Sequence, residues 1–481
     1  MPLDAPVMTT DRGVAITSLA PARVPIRLPQ KPICMSMARG YISQPIIALS
    51  GRKRMRVIII GAGIAGLGAA EYFTQRGHEI EIFEASARAG GRNITLSSRR
   101  GDRVDAGTQY FHTNYRRARA LLRSLGMETQ LAKVAGSTRF FDQRSARGYF
   151  DVSHRLPWFP PAGLSNLKGI GLIARALATR RDIFGLGHDN RLDATNAWEA
   201  MPDPFMREFA LRPLLLAGAL AEPAASEASL LHVLRLFRIV VLTDYLVLPD
   251  GIASFAQALA ARHRVSYERP VRRLVVEGDT VAGVELEDTG HIVRADHVVV
   301  AVPPPHAAAV LPEAWAGERR YLQDIVIPPF ALVSFFLDRP LDSRIWSYLL
   351  PQGATRFVSF ITDAARKSPA MVPSGKSVLQ AWTCYPASQT VVGMPDGEII
   401  DTCRRELEVF FPSLPEWIEA AHVTRHPYAV PFHRIGHQRR TIEFLRSAET
   451  RRGISFCGDY LSGGFMEAAL WSAERSAQRS G

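Results

Sequence analysis

The chain has 481 residues, 47% of them hydrophobic and 22% charged, a globular composition that is too long for one core, since single cores stop growing at roughly 250 to 300 residues. Its formal charge is +12, but only six of the 58 basic residues are lysine (Lys31, Lys53, Lys133, Lys168, Lys367, Lys376), and residues 1–54 hold Arg12, Arg23, Arg27, Lys31, Arg39, Arg52, Lys53 and Arg54 against Asp4 and Asp11, so half of the excess lies in a short leader and no nucleic-acid partner is expected. Four cysteines (Cys34, Cys384, Cys403, Cys457) exclude a disulfide framework, and the apolar stretches, interrupted by Arg212, Glu222, Glu227 and Arg235, fall short of the roughly 18 residues of a membrane span.

Residues 1–54 are rich in Pro, Arg and Ser and show no periodicity. They read as a disordered N-terminal extension or as sequence upstream of the true start, Met55, with a targeting segment as the alternative. From Val57 to Ile60 the chain is continuously apolar and β-branched, the pattern of a strand buried on both faces of a parallel sheet. A glycine-rich turn, a helix over 64–76 and a strand over 79–84 complete a βαβ unit. Residues 111–246 read as a helical, cap-like insertion, with helices over 118–125, 169–178 and 229–240 and proline-rich joints at Pro157, Pro160 and Pro161. Strand-like alternation returns over 272–276, 281–287 and 295–302. Residues 306–449 mix strands (331–337, 377–383) with a helix (397–411), and a last buried strand over 454–457 leads into a helix from Phe465.

The chemistry begins at Gly61-Ala62-Gly63-Ile64-Ala65-Gly66, between the first strand and its helix. Gly61 permits the tight turn, Gly63 lets a pyrophosphate approach the backbone, Gly66 lets helix and strand pack closely, and the helix N-terminus faces the anion. Glu84, at the end of the next strand, is placed to accept ribose hydroxyls and to repel a 2′-phosphate, so the site is read as NAD(P)-binding in type, with NADP disfavoured and FAD or NAD left open. Arg88-Ala89-Gly90-Gly91-Arg92 follows, bare backbone between fixed positive charges, which suits a pyrophosphate better than a solvated turn.

The run from Gly61 to Arg92 resembles the opening of the flavin-containing amine oxidase superfamily, which includes monoamine and polyamine oxidases, protoporphyrinogen oxidase and renalase. Phe456-Cys457-Gly458-Asp459 with Gly464-Phe465-Met466-Glu467-Ala468-Ala469-Leu470-Trp471 is similar to that family's closing motif, and Asp105-Ala106-Gly107-Thr108-Gln109-Tyr110-Phe111-His112 is similar to the segment beside the flavin ring, in a renalase-like form. The resemblance implies an α/β fold class: a Rossmann-type FAD-binding domain (55–110, 247–305 and 450–481) interleaved with an α+β substrate-binding domain of mixed sheet and helical cap (111–246 and 306–449). It implies non-covalent FAD held by Gly61, Gly63, Ile64, Ala65 and Gly66, with Glu84 on the ribose, Arg88, Gly90, Gly91 and Arg92 at the phosphates, and Val271 at adenine. Gln109, Tyr110, Gly458, Asp459 and Met466 would complete the cofactor site. Phe465 and either Tyr428 or Phe432 would form an aromatic slot, with His112 near the ring.

Two departures qualify the comparison. The strand over 330–337, where amine oxidases of this family carry a lysine, has none: Ser334 is nearest, and Lys367 and Lys376 lie in turn-rich sequence. The tyrosine of the closing motif is Phe465. His426, His433 and His437 lack acids or cysteines at ligand spacing, so no metal is expected, and neither hydrolase nor nucleotide-hydrolysing signatures occur. The expected enzyme is an FAD-dependent oxidoreductase. It would take hydride from a small amine or dihydropyridine-like molecule to flavin N5, with reoxidation by dioxygen to give hydrogen peroxide or by another acceptor. The alternatives are an oxidase or desaturase of a bulky apolar ring or polyene, and a flavin-bound protein without turnover. A cytoplasmic location is expected, peripheral membrane contact is left open, and no oligomeric state is implied.

Overall fold

A computed structural model describes residues 16–17, 54–142, 145–153, 171, 174, 182–187, 190–240, 243–341 and 344–480. The expectations for the leader, apart from a two-residue strand at Ile16–Thr17, and for the helix over 169–178 with its proline joints lie outside the described residues.

Arg56–Ile60 is the middle strand of a five-stranded sheet ordered Arg264–Ser266, Glu79–Phe83, Arg56–Ile60, His297–Val300, Ile454–Phe456, with every pairing parallel. Val57 and Ile59 pack with Leu67, Phe73 and Leu470 of the helices Ile64–Thr74 and Met466–Arg479. Ile58 and Ile60 pack with Val281 and Val284 of the antiparallel meander Val271–Glu277, Thr280–Leu286, Ile292–Arg294. Both faces are covered, which is why the run shows no polar alternation.

The second large sheet has seven strands, ordered Ile418–His426, Phe330–Leu337, Ser377–Thr383, Val358–Asp363, Ile345–Leu349, Ser137–Asp142, Ser145–Ser153. Its pairings are antiparallel except that of Ile345–Leu349 with Ser137–Asp142. The last two strands correct the helical reading of 111–246. Phe140 faces one core and Phe141 the opposite one, so each face carries a single ring among polar residues and period-two alternation is absent. The helices Arg212–Ala219 and Leu230–Val240 do form a cap, with a core that includes Leu215, Val233 and Leu236.

The closing helix also braces a neighbouring helix, Arg116–Ser124, in the core beside the parallel sheet. Helix Arg116–Ser124 has no side-chain cap of its own, and buried Glu467 accepts the backbone N–H groups of Arg116, Arg117 and Ala118 at 3.0, 2.8 and 3.0 Å. A carboxylate at a helix N-terminus meets three orphan donors and the positive end of the dipole. Among the described residues no helix is long and apolar enough to cross a membrane.

Candidate functional site

A cavity of about 1080 Å³ runs from the C-terminal ends of the parallel strands to the face of the seven-stranded sheet beneath the cap. At its dinucleotide end Gly61 has φ +100°, and a Cβ there would lie 2.8 Å from Val302 Cγ1. Gly66 does not line the cavity: a Cβ on it would lie 2.0 Å from the carbonyl oxygen of Gly61, so its role is the close crossing of helix and strand. Gly63 lines the cavity at an uncapped helix N-terminus, and a Cβ there would meet nothing within 4 Å. Ile64 and Ala65 line the cavity beside it. The second glycine pair is brought against this turn, Gly90 N–H donating to the Ala62 carbonyl at 2.9 Å.

Glu84 lines the same end. One of its oxygens accepts Ala62 N–H at 2.7 Å, the other Ser86 N–H at 2.9 Å and the Ser86 hydroxyl at 2.7 Å. A carboxylate has about four acceptor positions, which leaves one for a ribose hydroxyl. Arg88 donates to the Gly91 carbonyl at 3.0 Å, and Val271 lines the cavity at the far end of this groove. Arg92 pairs with Asp459 at 2.8 Å and also donates to the Ala429 carbonyl. Burial opposes the Arg92 charge, but Asp459 outweighs it and holds the guanidinium above its usual range. An uncapped helix turn, an open Gly63 and two guanidiniums fit a pyrophosphate, and Glu84 fits the ribose.

Towards the inner end, Phe465 and Met466 line the cavity at the start of the closing helix, whose N-terminus has no side-chain cap. Gln109 and Tyr110 line it as well, with Tyr110 stacked on Tyr245 at 4.4 Å and its phenol pushed up to about 12 by burial. Tyr428 is on the wall, edge-on to His306. Two proposed residues are placed elsewhere. Phe432 packs in the cap core against Tyr385 and does not line the cavity. His112 sits behind Tyr110 and Tyr245, its Nδ1 3.1 Å from the Thr243 hydroxyl.

Sequence reasoning missed Lys367. It is 1% exposed, and its ammonium donates to Asp105 Oδ2 at 3.0 Å and to Gln109 Oε1 at 2.8 Å. Asp105 accepts the Thr95 hydroxyl and Ile252 N–H through its other oxygen, both at 2.8 Å, so one buried carboxylate ties Lys367, just after the strand Val358–Asp363, to the segments of Thr95 and Ile252. Only its place beside Asp363, an N-cap that accepts from Ala365 and Arg366, hinted that Lys367 ends a structured turn. Ser334 is fully buried, 3.4 Å from Gln380 Nε2, and off the cavity wall; that strand contributes Phe330 instead.

Cys457 is buried, its thiol pushed up by burial and 3.7 Å from the Ala65 carbonyl, which supports non-covalent binding of a cofactor. His433 stacks with His232 and tilts against His437, while His426 lies apart on the sheet. Among the described residues no cluster could hold a metal.

The family model for flavin-containing amine oxidoreductases matches residues 64–479. The chain belongs to that family. The family's members are flavin-containing oxidoreductases, and the cavity's dinucleotide end fits FAD. A putative flavin-containing monoamine oxidase of Mycobacterium tuberculosis is 30% identical over 284 residues, 53% of this chain and 58% of that protein, so the chain matches little more than half of that relative's length. A hydroxysqualene dehydroxylase of Zymomonas mobilis is 25% identical over 271 residues, 53% of this chain and 64% of that one. A coproporphyrinogen III oxidase of Bacillus subtilis is 22% identical over 457 residues, covering 86% and 94%. The cyclohexylamine oxidase structure from Brevibacterium oxydans shares the fold, with a TM-score of 0.67 at 20% identity over 89% of this chain and 98% of that one.

Several imidazoles are held neutral by the fold. Burial depresses His426 and His297 to about 4, and His232 and His437 to about 3, with Arg235 adding to the effect at the latter two. The unfolded chain takes up protons near 6.5 that the native state refuses until far lower pH, so stability falls as pH drops from about 6.5 towards 3. Thermal unfolding should give a flat midpoint above pH 7 and a steady decline below 6.5; a midpoint unchanged down to pH 4.5 would contradict these burials.

Proposed function

We propose that this flavoenzyme oxidises an uncharged apolar substrate, a polyene or a bulky ring compound, held in the inner lobe of the cavity. The observation that carries the reading is the charge of the wall. Glu84, Arg88, Arg272, Glu287 and the Arg92–Asp459 pair lie with the dinucleotide end. Arg425 spends its guanidinium on Asp396 and on the carbonyls of Val392 and Met394. Among the described residues the inner lobe is then lined by rings such as Phe140, Phe209, Phe330, Trp346, Phe360 and Trp382, with the hydroxyls of Thr138, Ser347 and Thr362. An ammonium would lose its hydration there with no carboxylate to meet it, and a carboxylate-bearing porphyrinogen would find no guanidinium.

FAD, when bound, supplies the two-electron oxidising chemistry. The protein's share is to bind and orient the carbon to be oxidised and to exclude water, with Phe465 and Tyr428 proposed to confine it. The closing helix would present its N-terminus to negative charge on the cofactor. Similarity to a hydroxysqualene dehydroxylase supports this reading. A small amine bound as its free base is the second reading, favoured by the two aromatic residues Phe465 and Tyr428 on the wall and by similarity to a putative monoamine oxidase.

The test is anaerobic loss of oxidised-flavin absorbance with a panel of isoprenoid polyenes, coproporphyrinogen, cyclohexylamine and reduced nicotinamides. Bleaching by polyenes is expected; bleaching confined to amines, nicotinamides or porphyrinogen would overturn the proposal. Peroxide measured after oxygen is readmitted reports whether dioxygen is the acceptor.

A further inference from the structure

Four rings on one face of the seven-stranded sheet form a ladder across adjacent strands. His426 of Ile418–His426 stacks on Phe330 of Phe330–Leu337, with centroids 4.5 Å apart and planes 8° apart. Phe330 stacks on Trp382 of Ser377–Thr383 at 5.6 Å and 5°. Trp382 stacks on Phe360 of Val358–Asp363 at 5.2 Å and 9°. Register explains the alignment, since Phe330 lies directly opposite His426, and Phe360 opposite Trp382. All four residues line the cavity.

Near-parallel rings with centroids 4.5 to 5.6 Å apart are too close to lie edge to edge in one plane, so each is offset-stacked on the next. Each ring turns part of a face towards its neighbour, so ring edges make up much of the surface that the ladder offers to the cavity. Aromatic edges carry partial positive charge and faces negative charge, so a row of edges attracts the π face of a conjugated system and gives an ammonium none of the attraction that a ring face would offer. Two of the ladder's three polar atoms are engaged within the protein. Trp382 Nε1–H donates to the Thr362 hydroxyl at 3.0 Å, and His426 pairs through Nε2 with the Ala106 carbonyl at 2.6 Å. That second bond ties the first ring to the segment 105–112, which the family resemblance puts beside the flavin; from there the rings run across the seven-stranded sheet.

We infer that His426, Phe330, Trp382 and Phe360 form a specificity wall that selects flat conjugated substrates over saturated ones of the same length. The inference rests on the apolar-substrate reading and adds to it a discrimination that apolarity alone does not give. The probe pair is 1,6-diphenylhexatriene and its saturated counterpart 1,6-diphenylhexane, titrated into the FAD-loaded enzyme, the first by its fluorescence and the second by competition. Wild type should bind the triene at least tenfold more tightly.

Phe360→Leu and Trp382→Leu should weaken the triene about tenfold and the saturated compound less than twofold, at unchanged flavin content and with a lowered unfolding temperature for Trp382→Leu, whose side chain is 3% exposed. Trp382→Phe, which keeps an edge, should stay within about twofold of wild type. Equal affinity of wild type for the two probes overturns the ladder inference and leaves the apolar reading standing. Binding of neither probe overturns the apolar reading itself. Should the leucine variants lose flavin, the wild-type ratio and Trp382→Phe decide the matter alone.

Discussion

Gly66→Ala should purify colourless, with FAD retention reduced at least tenfold and a lowered unfolding temperature. The added methyl would lie 2.0 Å from the Gly61 carbonyl oxygen and 3.2 Å from Ile59 Cγ2. Gly61 cannot yield, because its N–H is bound to the Phe83 carbonyl at 2.8 Å and its own Cα is closed in by Val302 and Ala301. The helix must move away from the sheet, which costs on the order of 1–3 kcal/mol as overpacking and displaces the turn that would hold the pyrophosphate. Gly63→Ala is the contrasting variant. Its methyl meets nothing in the protein, so the unfolding temperature of the flavin-free chain should stay as in wild type while FAD affinity falls. If both variants retained flavin, the glycine turn would not be the cofactor's seat.

Lys367→Met should be the most destabilising single change to the substrate side, costing roughly 3–5 kcal/mol, the usual cost of stranding one partner of a buried pair. It leaves the Asp105 carboxylate, 2% exposed, without its cation and Gln109 Oε1 without its donor. Adding Asp105→Asn should restore part of the loss, because removing both charges also removes the uncompensated desolvation. Denaturant unfolding of the two single variants and the double variant measures the coupling. Additive losses would show that the pair does not act as a unit.

The motif Gly61 to Gly66, Glu84 and the second glycine pair were legible because their logic is local. Each glycine answers to a turn or crossing within the same βαβ unit, and the strand Arg56–Ile60 is apolar on both faces wherever it lies in a parallel sheet. The hairpin of Ser137–Asp142 and Ser145–Ser153 was not legible. Its parallel partner, Ile345–Leu349, is about two hundred residues away, and adjacent Phe140 and Phe141 serve two different cores. The three rings named for the aromatic slot divide. Phe465 and Tyr428 reach the cavity, whereas Phe432 turns into the cap, and nothing in the chain around Pro427 and Pro431 distinguishes the two rings.

By itself, then, the sequence determined the dinucleotide end and the family, since a glycine turn, an acidic strand end and a closing helix are each written in contiguous residues. Tertiary structure alone decided the substrate end. The ladder takes one ring from each of four strands, and the Lys367–Asp105 pair spans 262 positions. Such juxtapositions depend on sheet register and strand order, which are set by the packing of the whole core and leave no periodic mark in the chain.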